Sequence, residues 1–417
     1  MHSAFTLTAA TALCAALAMA QTPRYAVIDL GTLVGGTSSS FGNYLNDNRV
    51  VAGSAAAPDG TQQSVLWWGP LRMDIGTPGL NSGIFGVNTS GQASINAEVS
   101  TKDPYNENFC AFGTGLECVA FRLQRGVLIQ LPTLGGNNST IGTINSKGEI
   151  AGATENSTRD PACPTAVTVA GTGPQYFDYE AVVWGPGPSD IRELHPLPGD
   201  TVGMALSIND NSQAVGASGT CANSVLPPLS FGAHAVLWDA DGTAHDLGNL
   251  GSKVINVASS INNQGQVAGI SSVNDQATPA QGHHAFLWTS AAGMQDLGTL
   301  PGDVASVGTM IGDAGDVVGE SDDASGNPRA ILWRNGVMHD LNDLAPGSPL
   351  FLLCSLAINS RGEIAGFGAT ENGDIHAYLA TPSNAAASES LSAESRPATL
   401  SEDVRKLVRE RLPVRRF

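Results

Sequence analysis

Positive charge is scarce in this chain: 20 Lys and Arg stand against 38 Asp and Glu among 417 residues, a formal net charge of −18. An acidic body repels a phosphate backbone, so no nucleic acid is expected as a partner. The same charge opposes anionic lipid and helps to keep an exported protein in solution. Charged residues of both signs reach only 14% and aromatic ones 6%, which leaves little to cover long surface helices. Long apolar runs are missing as well. The run 9–20 is too short to span a bilayer, so no transmembrane segment is expected. Cysteine is sparse, six in all, with no Cys-x-x-Cys pair and no Cys/His spacing of a metal site. Gly-x-Ser-x-Gly, His-Glu-x-x-His, phosphate-loop and dinucleotide fingerprints are absent too. Motifs therefore assign no catalytic residue, no metal and no cofactor.

What is abundant is glycine, 49 residues, and proline, 23, a balance that suits many short strands joined by tight turns. These residues punctuate one paragraph of sequence written seven times. A full copy runs Ile261-Asn262-Asn263-Gln264-Gly265-Gln266-Val267-Ala268-Gly269, then His284-Ala285-Phe286-Leu287-Trp288, then Asp296-Leu297-Gly298-Thr299-Leu300. Its first motif recurs at Asn46, Asn88, Asn145, Asn209, Asn262, Gly312 and Asn359, at intervals of 42 to 64 residues. The third motif recurs near Asp29, Asp74, Gln130, Glu193, Asp246, Asp296 and Asp340.

Each copy divides into four extended pieces, in copy five Val257–Ile261, Gln266–Ser271, His284–Trp288 and Gly293–Leu297. Asn-x-x-Gly between the first two reads as a tight turn, and Asp241-Gly242 or Asn335-Gly336 as a hairpin between the last two. No 3.6-residue periodicity appears. Four antiparallel strands per period of about 50 residues describe a propeller blade. The last copy, Ile358 to Leu379, lacks its third motif, and the missing piece stands at the front as Asp29-Leu30-Gly31-Thr32-Leu33. Copies broken across the termini are what a closed ring needs, because an open array exposes two sheet edges. The expected fold is an all-β propeller, 24–382, of seven four-stranded blades closed by an N-terminal strand over 25–33. The uneven intervals keep six or eight blades as alternatives.

Residues 1–20 read as a signal peptide, with Ala18-Met19-Ala20 ahead of Gln21 as a small-x-small cleavage site, although the first residues hold only His2 for positive charge. Export to the cell exterior or periplasm permits disulfides. Cys110 and Cys118 lie in one insertion and Cys163 and Cys221 in insertions of neighbouring copies, so Cys110–Cys118 and Cys163–Cys221 are the candidate pairs. Cys354, in an apolar run, reads as a buried thiol. After Pro382 comes an Ala/Ser/Glu-rich linker and then, from Ser401, a short basic amphipathic helix or tail ended by Pro413. From Arg396 onward seven Lys/Arg face three Asp/Glu, so this tail is net +4 and the rest −22.

The recurring side chains read as structural. All six Trp share one motif position or its neighbour, which fits packing between sheets better than a carbohydrate platform. His234, His284 and His376 recur at the start of third strands, a slot taken by Arg329 and Glu180 in other copies. Ligands spread round a ring cannot converge on one ion, so they read as a solvent-facing cap. Asp29, Asp74, Asp246, Asp296 and Asp340 read as bonding local backbone amides.

Function is sought where the copies differ. Insertions between second and third strands fall in three consecutive copies, 101–117, 154–179 and 218–232, and would build one rim. They carry the candidate binding residues Tyr105, Phe109, Phe112, Tyr176, Phe177, Tyr179 and Phe231, on loops of a rigid support.

His284-Ala285-Phe286-Leu287-Trp288, with Ile-Asn-x-x-Gly-x-Val-Ala-Gly and Asp-Leu-Gly-Thr-Leu-Pro-Gly, resembles the HAF family of probable extracellular repeat proteins over about residues 25–380. His234-Ala235-Val236, His376-Ala377-Tyr378, Arg329-Ala330-Ile331 and Ser64-Val65-Leu66 depart from the triplet. The resemblance implies export and repeat architecture, with no activity and no catalytic residue to transfer. The expected function is a secreted, non-enzymatic, monomeric binding propeller that holds a glycan or protein ligand through its insertion loops. The alternative is a polysaccharide hydrolase or lyase using a carboxylate pair drawn from Asp103, Glu107, Asp160 and Asp178.

Overall fold

The Asn-x-x-Gly turn is where the architecture begins. Asn262 accepts backbone N–H groups two and four residues on, from Gln264 at 3.1 Å and Gln266 at 2.9 Å, and Gly265 supplies the positive φ of +75°. Side-chain acceptor and left-handed glycine together pin a tight hairpin between the first and second strands of a blade.

The structure, a computed structural model, describes residues 23–33, 39–69, 71–75, 81–110, 112–163, 174–222, 233–278, 280–383 and 400–412. The segment expected as a signal peptide, 1–20, and most of the expected linker after Pro382 lie outside these. Seven four-stranded antiparallel sheets follow one another round a ring, forming a seven-bladed β-propeller. Blades 1 to 6 occupy 40–74, 82–130, 135–194, 202–246, 256–296 and 305–340. Blade 7 combines Phe351–Ile358, Ile364–Ala369 and Ile375–Ser383 with Arg24–Asp29 as its outer strand. Tyr25 pairs with Pro382 and Asp29 with Tyr378 across that seam, so the N-terminal strand closes the ring. Among the described residues no helix is long and apolar enough to cross a membrane.

Every first strand bulges at the same place. The register skips Asn43, Phe85, Leu206, Ser259, Thr309 and Leu356, and in blade 3 both Gly142 and Thr143. A bulge kinks its strand and redirects the extra side chain, and these all line the central channel. The bulge also accounts for the Gly of Val-Ala-Gly. A Cβ on Gly319 would sit 1.8 Å from the Val307 carbonyl oxygen, and one on Gly269 2.0 Å from that of Val257. Only glycine tolerates that approach.

The turn Asn has a second task that ties the blades together. Its Nδ2 donates to the carbonyl of the equivalent residue in the next blade: Asn46 to Asn88, Asn88 to Asn145, Asn145 to Asn209, Asn209 to Asn262, Asn262 to Gly312, and Asn359 to Asn46, all within 3.0–3.3 Å. Six of the seven junctions are tied in this way, across the closing seam included. Blade 6 has Gly312 at this position and no side chain to donate.

Between blades the apolar layer pairs large residues with small ones. Trp184 and Trp238 are fully buried and Trp67 nearly so. Trp67 packs with Ala357, Ala365 and Ala377 of blade 7, and Trp184 with Ala120 of blade 2. The Trp184 and Trp238 indoles donate to the Pro132 and His195 carbonyls, each at 2.8 Å, which satisfies their polar ends in the core. Trp68 is the exposed exception. Cys354 is a buried thiol that takes part in neither disulfide.

The second strands of blades 2 and 3 run ten residues each, Ala93–Lys102 and Ile150–Arg159. The polar run 154–159 hides this, since it lacks strand alternation and pairs across an irregularity between Glu155 and Arg159. The insertions are thus narrower than the sequence indicated, 103–115 and 160–176, and Phe177 and Tyr179 belong to a strand, Phe177–Trp184.

Candidate functional site

The axial channel has two dissimilar halves. On the hairpin side lies a polar vestibule of about 190 Å³ lined by the turn Asn residues and by Asp47, Asp210 and Asp313 one position on. On the insertion side lies a chamber of about 220 Å³ lined by apolar side chains such as Phe41, Phe85, Leu206, Leu356 and Phe367. Tyr44, Thr143 and Met310 border both and form the waist. Burial, with Asp210, Asp47 and Asp313 adding, pushes the Tyr44 phenol up to about 12.

Polar residues interrupt the apolar wall, among them Asn43, Gln62, Asn96, Ser259, Thr309 and Glu320. Asn96 is 6% exposed and donates Nδ2 to Thr140 Oγ1 at 2.8 Å, while its Oδ1 is buried with no partner among the described residues. A buried acceptor left open in an apolar cavity is suited to a ligand N–H or O–H.

Two elements frame the insertion-side end. Phe112 comes from the blade 2 insertion, beside the Cys110–Cys118 disulfide. Leu412 comes from the end of the C-terminal helix, Glu402–Arg411, which is docked on the body. Val408 is buried, with Val404 and Leu412 beside it, against Leu353, Phe367 and Ile375. Arg411 pairs with Asp374 at 2.7 Å and Arg405 with Asp323 at 3.6 Å, so basic tail meets acidic body. Ser401 caps the helix, with Glu402 and Asp403 in its first turn and Arg409 and Arg411 in its last, complementing its dipole.

The insertion aromatics separate into three groups. Phe112 lines the chamber. Tyr105 stacks on Tyr176 with centroids 3.7 Å apart, and Phe177 meets both edge-on at 5.1 and 5.2 Å, while Arg159 lies 5.1 Å above the Tyr176 ring. This stack joins the insertions of blades 2 and 3. Phe109 and Tyr179 are buried with Cys163 and Cys221 in one core cluster. Phe231 lies outside the described residues. The Cys163–Cys221 disulfide links blades 3 and 4. Asp160 lies within 4.8 Å of both its sulfurs, but sulfurs bonded to each other are not thiolate ligands.

Beneath the insertions sits a buried acid cluster that only tertiary structure assembles. Asp103 and Glu107 meet Glu155 of blade 3, and all three are at most 1% exposed. Asn138 Nδ2 donates to Asp103 at 2.9 Å and to Glu155 at 3.1 Å, and Gln175 donates to Glu155 at 2.8 Å. The Tyr176 backbone N–H donates to Glu107. Glu107 and Glu155 hydrogen-bond each other, which requires a proton on one of them. Burial, offset in part by the Tyr176 amide, leaves Glu107 at about 7, and burial and then the Glu107 charge drive Glu155 well above the carboxylate range. The cluster fastens the blade 2 insertion to blade 3. Asp160 and Asp178 lie elsewhere, on blade 3 at its outer part, and none of these four carboxylates lines the chamber.

The recurring His and Asp residues meet each other. His284 Nδ1 lies 2.9 Å from Asp296 and His376 Nδ1 2.9 Å from Asp29. Arg329 bridges Asp340 at 3.1 Å and Asp303 at 2.8 Å, and His234 pairs with Asp200 at 2.8 Å. The Asp residues also accept local amides, as Asp296 does from Gly298 at 2.7 Å.

No family model matches the chain, and no curated protein matches it. Several solved structures are similar to it at low identity. One is the β-propeller domain of the Trilobed protease from Pyrococcus furiosus, at 8% identity and TM-score 0.49, covering 87% of this chain and 96% of that one. Another is the Pyrococcus horikoshii acylaminoacyl peptidase, at 11% identity and TM-score 0.49, with 82% of this chain covered. A third is a gluconolactonase from Xanthomonas campestris, at 8% identity and TM-score 0.37, covering 86% of this chain and 90% of that one. The chain spans about half the length of the horikoshii peptidase, 51%.

Proposed function

We propose that this chain is an exported, non-enzymatic binding propeller that takes an apolar group of its ligand into the insertion-side chamber of the axial channel. The observation that carries this reading is the chamber: a cavity of about 220 Å³ whose wall is mainly apolar, with Phe41, Phe85, Leu206, Leu356 and Phe367, and with the open acceptor of Asn96 in it. Such a site favours an apolar side chain of a protein ligand over a glycan, whose hydroxyls would go unpaired there. The hydrolase alternative loses ground because Asp103 and Glu107 are sealed beneath the insertion while Asp160 and Asp178 lie away from the chamber. Export follows from the leader at 1–20 and is consistent with two disulfides. Membership of the HAF family belongs to the same proposal and rests on the recurring motifs. A monomer is expected, since the ring closes its own edges.

The test is binding of an apolar fluorophore, anilinonaphthalene sulfonate, to the 21–417 chain and to Leu206→Trp, which fills the chamber. One site per chain is expected in the parent, weakened at least about tenfold, or 1.4 kcal/mol, in the variant, with a cooperative melt retained. A glycan array run alongside decides the ligand class. Glycan binding unchanged by Leu206→Trp would sink the chamber as the site, and polysaccharide turnover lost in Asp178→Asn would sink the non-enzymatic reading.

A further inference from the structure

Blade 3 departs from a pattern that blades 5, 6 and 7 share at one slot. In those three blades a third-strand residue two positions before the partner of the fourth-strand carboxylate is basic. Phe286 pairs with Asp296, Ile331 with Asp340 and Tyr378 with Asp29, and His284, Arg329 and His376 hold those acids. In blade 3 Val182 pairs with Glu193, so the slot belongs to Glu180. Both partners are acids.

The surroundings add negative charge. Asp178 precedes Glu180 by two residues on the same side of the strand, and Asp160 is close enough to push the Asp178 carboxyl upward. Burial, then Asp178 and Glu193, raise Glu180 to about 8, and burial with Asp160 raises Asp178 to about 6. Glu180 is 8% exposed, and its Oε2 has no partner among the described residues; neither has Asp178 Oδ1. Arg159 lies over the Tyr176 ring, and among the described residues the basic group on Glu193 is the exposed His195, 3.1 Å away. Glu193, with its side chain 39% exposed, keeps the slot open to solvent.

We propose that this edge of blade 3 is a binding site for a guanidinium group, an arginine side chain of a peptide or protein partner, which fills from outside the place that Arg329 fills from within in blade 6. Arg329 shows the chemistry, its two terminal nitrogens bridging separate carboxylates. A single metal ion fits less well. Three carboxylates converging within 4.8 Å are not found here among the described residues, where the only such group is Asp160 with the two disulfide sulfurs, and a planar fork spans more widely spaced acids. This site is separate from the axial chamber, so either can fail without the other.

The experiment titrates acetyl-arginine-amide into the full 21–417 chain by NMR or calorimetry, with acetyl-norleucine-amide and calcium chloride as separate titrants. Saturable binding of the arginine amide at about 1 mM or tighter is expected, with none of the norleucine amide. Glu180→Gln should weaken it at least about tenfold. Glu180→Arg, which supplies the guanidinium in place, should abolish it and raise the melting temperature. Leu206→Trp should leave it unchanged. No saturable binding of the arginine amide, binding that survives both Glu180 variants, or calcium binding alone that is lost in Glu180→Gln would each overturn the proposal.

Discussion

The two faces of this ring follow opposite rules. On the hairpin face nearly every blade has the same Asn doing the same two things, closing its own turn and holding the next blade. The insertion face is built of unlike pieces: a disulfide-braced blade 2 loop that carries Phe112 and is tied to blade 3 through Glu107 and Glu155, a blade 3 insertion bonded to blade 4 by a second disulfide, and a docked helix. Repetition marks bonds that every junction needs. Individuality marks the face where a ligand would be recognised, because seven equal blades cannot by themselves make a distinctive pocket. The chamber between the faces combines both, since its walls are the bulge residues of all seven blades while its mouth is set by Phe112 and Leu412.

The strongest way to break this comparison is to open the ring. Removing Arg24–Asp29 strips blade 7 of its outer strand and exposes an edge on Ile375–Ser383. Loss of cooperative thermal unfolding and concentration-dependent aggregation are expected by circular dichroism and light scattering. A monomeric protein melting as before would mean that the seam is dispensable.

Next comes the Asn belt. Asn209→Ala removes a donor to the Asn262 carbonyl and an acceptor for two turn amides, at a cost of about 2–3 kcal/mol in urea unfolding. Phe112→Ala on the opposite face should cost less than about 1 kcal/mol and affect fluorophore binding instead. Equal effects on stability would erase the distinction between the faces.

The acid cluster gives the insertion face its own pH dependence. Free Glu ionises near 4.5, whereas Glu107 in the fold does so at about 7 and Glu155 is also held well above the carboxylate range by burial and the Glu107 charge. The neutral forms are favoured by folding, so their stabilisation is complete below about pH 4.5 and is lost as pH rises through 7, on the order of 2 kcal/mol. Asp178 and Glu180, raised to about 6 and about 8, act in the same direction. Chemical denaturation from pH 5 to 9 should show the decline, and Glu155→Gln should flatten part of it, leaving the share of Asp178 and Glu180. An unchanged slope in that variant would remove the cluster from the explanation.

The smallest expected effect is a gain. Gly312→Asn would restore the missing tie from blade 6 to the Asn359 carbonyl, adding about 0.5–1 kcal/mol. Its Cβ would come 3.3 Å from Ile358 Cγ2, a contact that asks for a slight shift. A loss of stability here would show that this junction is packed around glycine.

Much of the ring was legible because its signals are local or arithmetical. The turn chemistry of Asn262 and Gly265 acts over five residues, and the offset between seven first motifs and seven third motifs gives closure without any coordinate. The two disulfides were legible because few cysteines lay in neighbouring insertions. The bulges were not, since a bulge adds one residue to a strand without a residue type of its own: Asn43, Phe85, Leu206, Ser259, Thr309 and Leu356 share no chemistry. Their trace is the Gly of Val-Ala-Gly, legible as recurrent but not as the print of an approaching carbonyl. The ends of 93–102 and 150–159 were missed because their polar residues lack strand alternation.

The sequence alone determined the number of copies, the four strands in each, the closure by an N-terminal strand within 25–33 and the structural character of the Trp and Asp residues, because repetition makes a local signal count many times. Only the tertiary structure decided the rest. Glu107 and Glu155 lie 48 positions apart and share a proton because two blades press them together. Glu180 became an unanswered carboxyl only once it stood in the slot of His284 with Glu193 opposite. Residues that occur once take their meaning from their neighbours in space, and nothing in their order along the chain names those neighbours.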